Sequence, residues 1–160
     1  MDKKLLTLLE KDSTMSLAQL SALLGEPEES VRSRIEELEK HKVILGYQAV
    51  IDWEKTQREA VTALIEVNVR PQRGNGYDRI AERIYQYEEV ESCYLMSGSF
   101  DMTVIISGRS LREVAQFVAN KLAPIEDVTG TATHFILQTY KEKNIVFNRQ
   151  QVQEERFVFE

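Results

Sequence analysis

Val61-Thr62-Ala63-Leu64-Ile65-Glu66-Val67-Asn68-Val69 is the stretch on which the fold turns. Val61, Ala63, Ile65, Val67 and Val69 are apolar and alternate with Thr62, Leu64, Glu66 and Asn68. A period of two puts successive side chains on opposite faces of an extended chain, whereas a helix would need a period near 3.6. The stretch therefore predicts a strand with one face turned inward. Pro71 and Gly74-Asn75-Gly76 close it with residues that favour turns.

Downstream, Tyr77, Ile80, Ala81 and Ile84 recur at helical spacing. Residues 90–96 and Met102-Thr103-Val104-Ile105-Ile106 read as two strands joined by Ser97-Gly98-Ser99-Phe100-Asp101. Ser110 is placed to cap a helix carrying Leu111, Val114, Ala115, Val118 and Leu122 on one stripe, and Pro124 stops it. Residues 131–140 complete the series as a last strand. The order strand, helix, strand, strand, helix, strand is a ferredoxin-like βαββαβ domain over residues 61–140, and the fold class is α+β.

Two helices cover only one face of such a sheet. The strands nevertheless carry apolar residues on both: Met102, Val104 and Ile106 against Ile105, and Tyr94 and Met96 against Cys93 and Leu95. An apolar sheet face left in water is prone to association, so a homodimer of two-fold symmetry is expected.

Upstream of residue 61 the pattern changes. Residues 54–59 are polar and read as a linker, and residues 46–53, with Tyr47, Ala49, Ile51 and Trp53 alternating with Gln48, Val50 and Asp52, read as a strand. The segment 47–60 is thus strand plus linker, with the boundary near residue 55. Before it lie three helical patterns. Leu5, Leu6, Leu8 and Leu9 mark the first. Leu17, Leu20 and Leu24 mark the second, between a Ser16 cap and a terminating Gly25. Val31, Ile35 and Leu38 line the third, which begins near Pro27. Helices this short need a shared core. The arrangement over residues 1–46 fits a helix-turn-helix and equally fits any three-helix subdomain; periodicity does not choose between them.

Composition narrows the function classes. The chain has 160 residues, 42% hydrophobic and 29% charged, as a globular protein does. No apolar run approaches the ~18 residues of a membrane span, and no signal-peptide pattern follows Met1, so no membrane partner is expected. Cys93 is the single cysteine, which fits a reducing cytoplasm and supplies no disulfide framework. A net charge of −6 argues against a non-specific nucleic-acid coat, but not against a small local DNA-facing surface.

Three stretches carry a family resemblance. Leu17-Ala18-Gln19-Leu20-Ser21 leads into Val31-Arg32-Ser33-Arg34-Ile35-Glu36-Glu37-Leu38. Val43-Ile44-Leu45-Gly46-Tyr47-Gln48-Ala49 follows the third helix. Ser97-Gly98-Ser99-Phe100-Asp101 is similar to a Gly-x-x-Asp turn, with Thr131 and Thr133 on the last strand and Lys141 beyond. Together they resemble the Lrp/AsnC family of leucine-responsive and asparagine-related regulators across almost the whole chain. The resemblance implies a DNA-binding head, a ligand-sensing domain, and dimers that join into octamers. It also implies an amino acid or related metabolite bound near the 98–101 turn, with no other cofactor.

On that reading Ser30, Arg32 and Ser33 are candidates for base edges, and Arg34, Lys40 and Lys42 for the DNA backbone. Ser97, Gly98, Ser99, Asp101, Thr131 and Thr133 are candidates for the effector. Gly98 would let backbone amides approach a carboxylate, and Asp101 would accept from an ammonium group. Two departures stand out. Pro27 replaces the serine with which the family's recognition helix usually starts, leaving the first turn to Glu28 and Glu29, which suit the helix dipole but oppose phosphate. Ser99 stands where the family often carries a charge, which leaves the effector open. The tail, residues 141–160, is read as an arm ending in the alternating Phe157, Val158 and Phe159.

No catalytic set is visible, and His41 and His134 lack the spacing of metal ligands, so neither a catalytic nor a metal site is expected. Two alternatives are weighed. One is a ligand-binding oligomer whose acidic head has weakened or lost DNA binding. The other is an enzyme like the sirohaem decarboxylases, which share this architecture and in which His134 and nearby arginines would serve a tetrapyrrole.

Overall fold

The computed structural model describes residues 1–57, 60–70 and 76–147. The chain divides into two compact units, Met1–Ala49 and Val50–Glu160.

The first unit contains α1 (Asp2–Lys11), α2 (Leu17–Leu24) and α3 (Glu28–Lys40). Each terminus has a chemical cause. A capping box opens α2: the Gln19 backbone N–H donates to Ser16 Oγ at 3.2 Å, and the Ser16 N–H donates to Gln19 Oε1 at 2.8 Å. Gly25 ends the helix in the left-handed region, at φ 73°, which costs a residue without Cβ nothing. Pro27 stands just outside α3 as its N-cap and supplies no side-chain cap, so Glu28 and Glu29 are the only favourable charges at that end. Leu5, Leu20, Val31 and Leu38 form the core, packed by Leu6, Leu8, Leu9, Met15, Leu17, Leu24, Ile35 and Ile44.

Past α3, Lys42 turns the chain with φ 58°, and the N–H groups of Val43 and Ile44 both donate to the Leu38 carbonyl. The strand expected over residues 46–53 does not form. The segment lacks regular structure up to a single 3-10 turn, Trp53–Lys55. Tyr47, Ile51 and Trp53 are exposed. Alternation marks a strand only where a neighbouring edge takes up the backbone hydrogen bonds, and no ladder among the described residues includes this segment.

The second unit is built on β1 (Val61–Val69), α4 (Gly76–Tyr85), β2 (Val90–Leu95), β3 (Met102–Gly108), α5 (Leu111–Phe117) and β4 (Val128–Phe135). A single π turn, Val118–Leu122, prolongs α5. The sheet is antiparallel with strand order β2-β3-β1-β4, as the expected βαββαβ domain requires. β1 is central; Ile65 lies opposite Val104 on one side and Thr133 on the other. Ala63, Ile65, Val67, Val104 and Ile106 bury one face against Ile80, Ile84, Val114, Phe117 and Leu122. Lys121 is held by Glu89 and sits 5.3 Å from the Tyr87 ring centroid.

The other face is more polar than the sequence suggests. By register it carries Leu64, Ile105 and Tyr94, but also Glu66, whose Oε1 lies 3.2 Å from His134 Nε2, and a Thr62–Ser107 hydroxyl pair at 3.1 Å. β4 also falls earlier than expected, at Val128–Phe135 and not over residues 131–140. Its last residue pair with β1 is Ala63–Phe135, and one further bond, from the Ile136 N–H to the Thr62 carbonyl at 2.9 Å, ends the pairing. A small hairpin follows, β5 (Lys141–Glu142) and β6 (Ile145–Val146), turned by Lys143 and Asn144 at positive φ. The expected arm beyond residue 147 lies outside the described residues, as do Pro71, Gly74 and Asn75.

Candidate DNA-reading helix and effector turn

The outer face of α3 is the first candidate site. Val31 and Leu38 fix its inner side to the core, leaving Ser30, Arg32, Ser33 and Lys40 exposed. Lys42 is exposed in the following turn. Arg32 pairs loosely with Glu29, at 3.8 Å between two well-solvated side chains; such a pair contributes little and parts easily. Arg34 is placed differently. Its Nε donates to Asp2 Oδ1 at 2.7 Å, and its two terminal nitrogens reach Asp2 and Glu37. This clamp ties α3 to the start of α1. It lowers the Asp2 carboxyl below its ordinary range and pushes the Arg34 guanidinium above its own. Arg34 is therefore half-buried structure in this copy, while Arg32, Lys40 and Lys42 remain open to an anion. Glu28, Glu29 and Glu36 share the exposed surface and oppose phosphate.

The second candidate site is the turn after β2. Ser97, Gly98 and Ser99 are exposed. Gly98 has φ 157°, and a Cβ there would meet nothing within 4 Å, so the need for glycine is conformational and not steric. Asp101 is half-buried and makes both backbone and side-chain hydrogen bonds. Its N–H donates to the Val67 carbonyl at 3.1 Å, and its own carbonyl accepts from the Met96 N–H at 2.8 Å. Oδ2 accepts from the Val69 N–H at 2.8 Å, and Oδ1 lies 3.4 Å from the Tyr77 hydroxyl. Thr131 lies opposite Val67 on the far side of β1, so the turn and Thr131 share one end of the sheet; Thr133 is one step further in, opposite Ile65. Sequence reasoning singled out Asp101 as an effector contact but did not find Val69 or Tyr77, the partners its carboxylate meets here, because both depend on strand register and on where α4 begins.

Cys93 is half-buried beside Val104, and burial pushes its thiol up, away from reactivity. Among the described residues no group of three His, Cys, Asp or Glu side chains is placed to hold a metal ion, and no helix is long and apolar enough to cross a membrane.

Comparison with known proteins bears on both sites. The family model described as the AsnC-type helix-turn-helix domain matches residues 1–39, and the one described as the Lrp/AsnC ligand binding domain matches residues 62–146. An uncharacterized HTH-type transcriptional regulator of Bacillus subtilis, YugG, is 46% identical over 147 residues, covering 91% of this chain and 89% of the relative. The HTH-type transcriptional regulator LrpA of Pyrococcus horikoshii is 31% identical, with 88% and 96% covered. Among solved structures, the feast or famine regulatory protein of M. tuberculosis complexed with L-methionine is similar with a TM-score of 0.71 and 26% identity, covering 88% of this chain and 92% of that one.

Proposed function

This chain belongs to the Lrp/AsnC family of transcriptional regulators, and from that premise we propose that it binds specific duplex sites through pairs of heads under control of an amino-acid effector. The observation that carries the reading is the outer face of α3. Ser30, Arg32, Ser33 and Lys40 stand open on a helix whose other face is anchored by Val31 and Leu38. A short helix held this way can enter a major groove, where Ser30, Arg32 and Ser33 approach base edges and Lys40 and Lys42 the phosphates. Glutamates on the same surface weaken each head for phosphate, although a glutamate can also accept from a cytosine amino group. Linked heads offset that weakness by raising effective concentration.

The effector site is the 97–101 turn with Thr131 and Thr133. An amino acid is the ligand class supported by the methionine-bound relative. A second copy across the open sheet face makes the homodimer, with octamers as the larger assembly, working in the cytoplasm where the DNA is. Coupling is by linkage: an effector that prefers one assembly biases DNA affinity, and DNA biases effector affinity by the same factor. The regulator role fits relatives named as transcriptional regulators and gives the chain no reaction to catalyse.

Capture of fragmented genomic DNA by the purified full chain, with and without L-methionine, tests the reading. Enrichment of a few discrete sites is expected. Recovery of no site above background would overturn it in favour of a second reading, a ligand-binding oligomer with a disabled head. The locked Arg34 and the carboxylates of α3 are the observations on that side.

A further inference from the structure

β1 and β3 pair from Val61–Gly108 to Val67–Met102, and there the regular ladder stops. Beyond it Asp101 supplies two more bonds by itself. Its backbone N–H reaches the Val67 carbonyl, and its carboxylate Oδ2 takes the Val69 N–H at 2.8 Å. Val67 and Val69 have the same parity, so both turn their backbone groups toward β3. The carboxylate thus occupies the place where the next backbone carbonyl of a longer β3 would sit. It does so where β1 is irregular: its register with β4 shifts between Asn68 and Val69. The other oxygen, Oδ1, faces the Tyr77 hydroxyl at the first turn of α4. One side chain therefore joins the turn after β2, the exit of β1 and the start of α4.

We propose that Asp101 is a positioning residue that holds the effector turn in shape, and not the counter-ion of the effector's ammonium group. This rests on the reading of the 97–101 turn as the effector site. Direct recognition then falls to the exposed part of the turn, Ser97, Gly98 and Ser99. A carboxylate has about four acceptor positions, so occupancy by two donors does not by itself decide between the roles. Charge does. Asparagine keeps an acceptor for the Val69 N–H and loses the negative charge; alanine loses both.

Two measurements on the full chain separate these outcomes: amide hydrogen exchange at Val69, and L-methionine binding by calorimetry, each for wild type, Asp101→Asn and Asp101→Ala. With Asp101→Ala, exchange at Val69 rises and methionine affinity falls, each by about tenfold or more, because a buried donor is left without its acceptor. With Asp101→Asn, both stay near wild type. Should Asp101→Asn abolish methionine binding as fully as Asp101→Ala, the counter-ion role is correct and the proposal fails. Unchanged Val69 protection in Asp101→Ala overturns it as well. If Asp101→Ala does not fold, Tyr77→Phe is the second variant: faster exchange at the start of α4 with Val69 still protected is expected, and unchanged exchange in α4 counts against the joint. A wild-type chain that binds no methionine refutes that effector assignment under the proposed function, while exchange at Val69 still judges Asp101.

Discussion

The clamp on Arg34 makes a prediction about salt. Each phosphate neutralised by a protein cation contributes a slope of about −0.9 to log affinity against log salt. Lowering salt from 200 to 50 mM is a fourfold change, so each contact strengthens binding by about 3.5-fold over that range, and a contact made by both heads of a dimer by about twelvefold. Arg34 is engaged by Asp2 and Glu37, whereas Arg32 has only the loose 3.8 Å pair with Glu29 and Lys40 is exposed. Arg32→Gln and Lys40→Gln should each flatten the slope by about one unit per head contact, while Arg34→Gln should leave it unchanged. Fluorescence anisotropy of a labelled mixed-sequence duplex across a salt series measures this, because the slope is present in non-specific binding too. Far-UV circular dichroism melts check that Arg34→Gln, which loosens α1 from α3, is still folded at the assay temperature. The converse variant, Asp2→Asn with Glu37→Gln, frees the guanidinium and should steepen the slope. An Arg34→Gln protein whose slope flattens as much as that of Lys40→Gln would show that Arg34 leaves its clamp to meet phosphate, and the reasoning would be wrong.

Three further outcomes are expected. Leu20→Ala, at a core position only 1% exposed, should cost the head about 2–5 kcal/mol, enough to separate an early urea transition of the helices from that of the sheet domain. Ser16→Ala removes the acceptor for the Gln19 N–H and should cost about 1 kcal/mol, read as a lower denaturation midpoint with unchanged slope. The Lys121 ammonium holds the Glu89 carboxyl below its usual range, so the pair's contribution is complete at neutral pH and lost as the pH falls through the lowered value. Glu89→Gln should therefore lower the sheet domain's stability at and above neutral pH and flatten the acid limb of its stability curve, converging on wild type at low pH.

Much of the architecture was legible because each element carried its own local signal. The alternation of residues 61–69, the caps at Ser16 and Ser110, and Gly25 all act within a few residues of where they stand. What misled was information held elsewhere in the chain. Residues 46–53 alternate like a strand, but no strand ladder among the described residues includes them. The last strand ends at Phe135 because its pairing with β1 runs out one bond later, where the Ile136 N–H meets the Thr62 carbonyl. Arg34 was a candidate for the DNA backbone; its partner Asp2 is 32 residues away and invisible to periodicity. Asp101 was singled out by the resemblance to a Gly-x-x-Asp turn, yet its bonds depend on the register of β1. Elements were legible where a turn or cap is self-contained, and illegible where strand pairing and helix contacts are long-range.

The buried side chains of the head all come from residues 5–38, and those of the sheet domain from residues 63–125. The two sets share no residue, so a heritable change in one core acts first on the unit that carries it. A duplicated gene is free to drift in its reading end, acquiring new operators, while the sensing end keeps its metabolite.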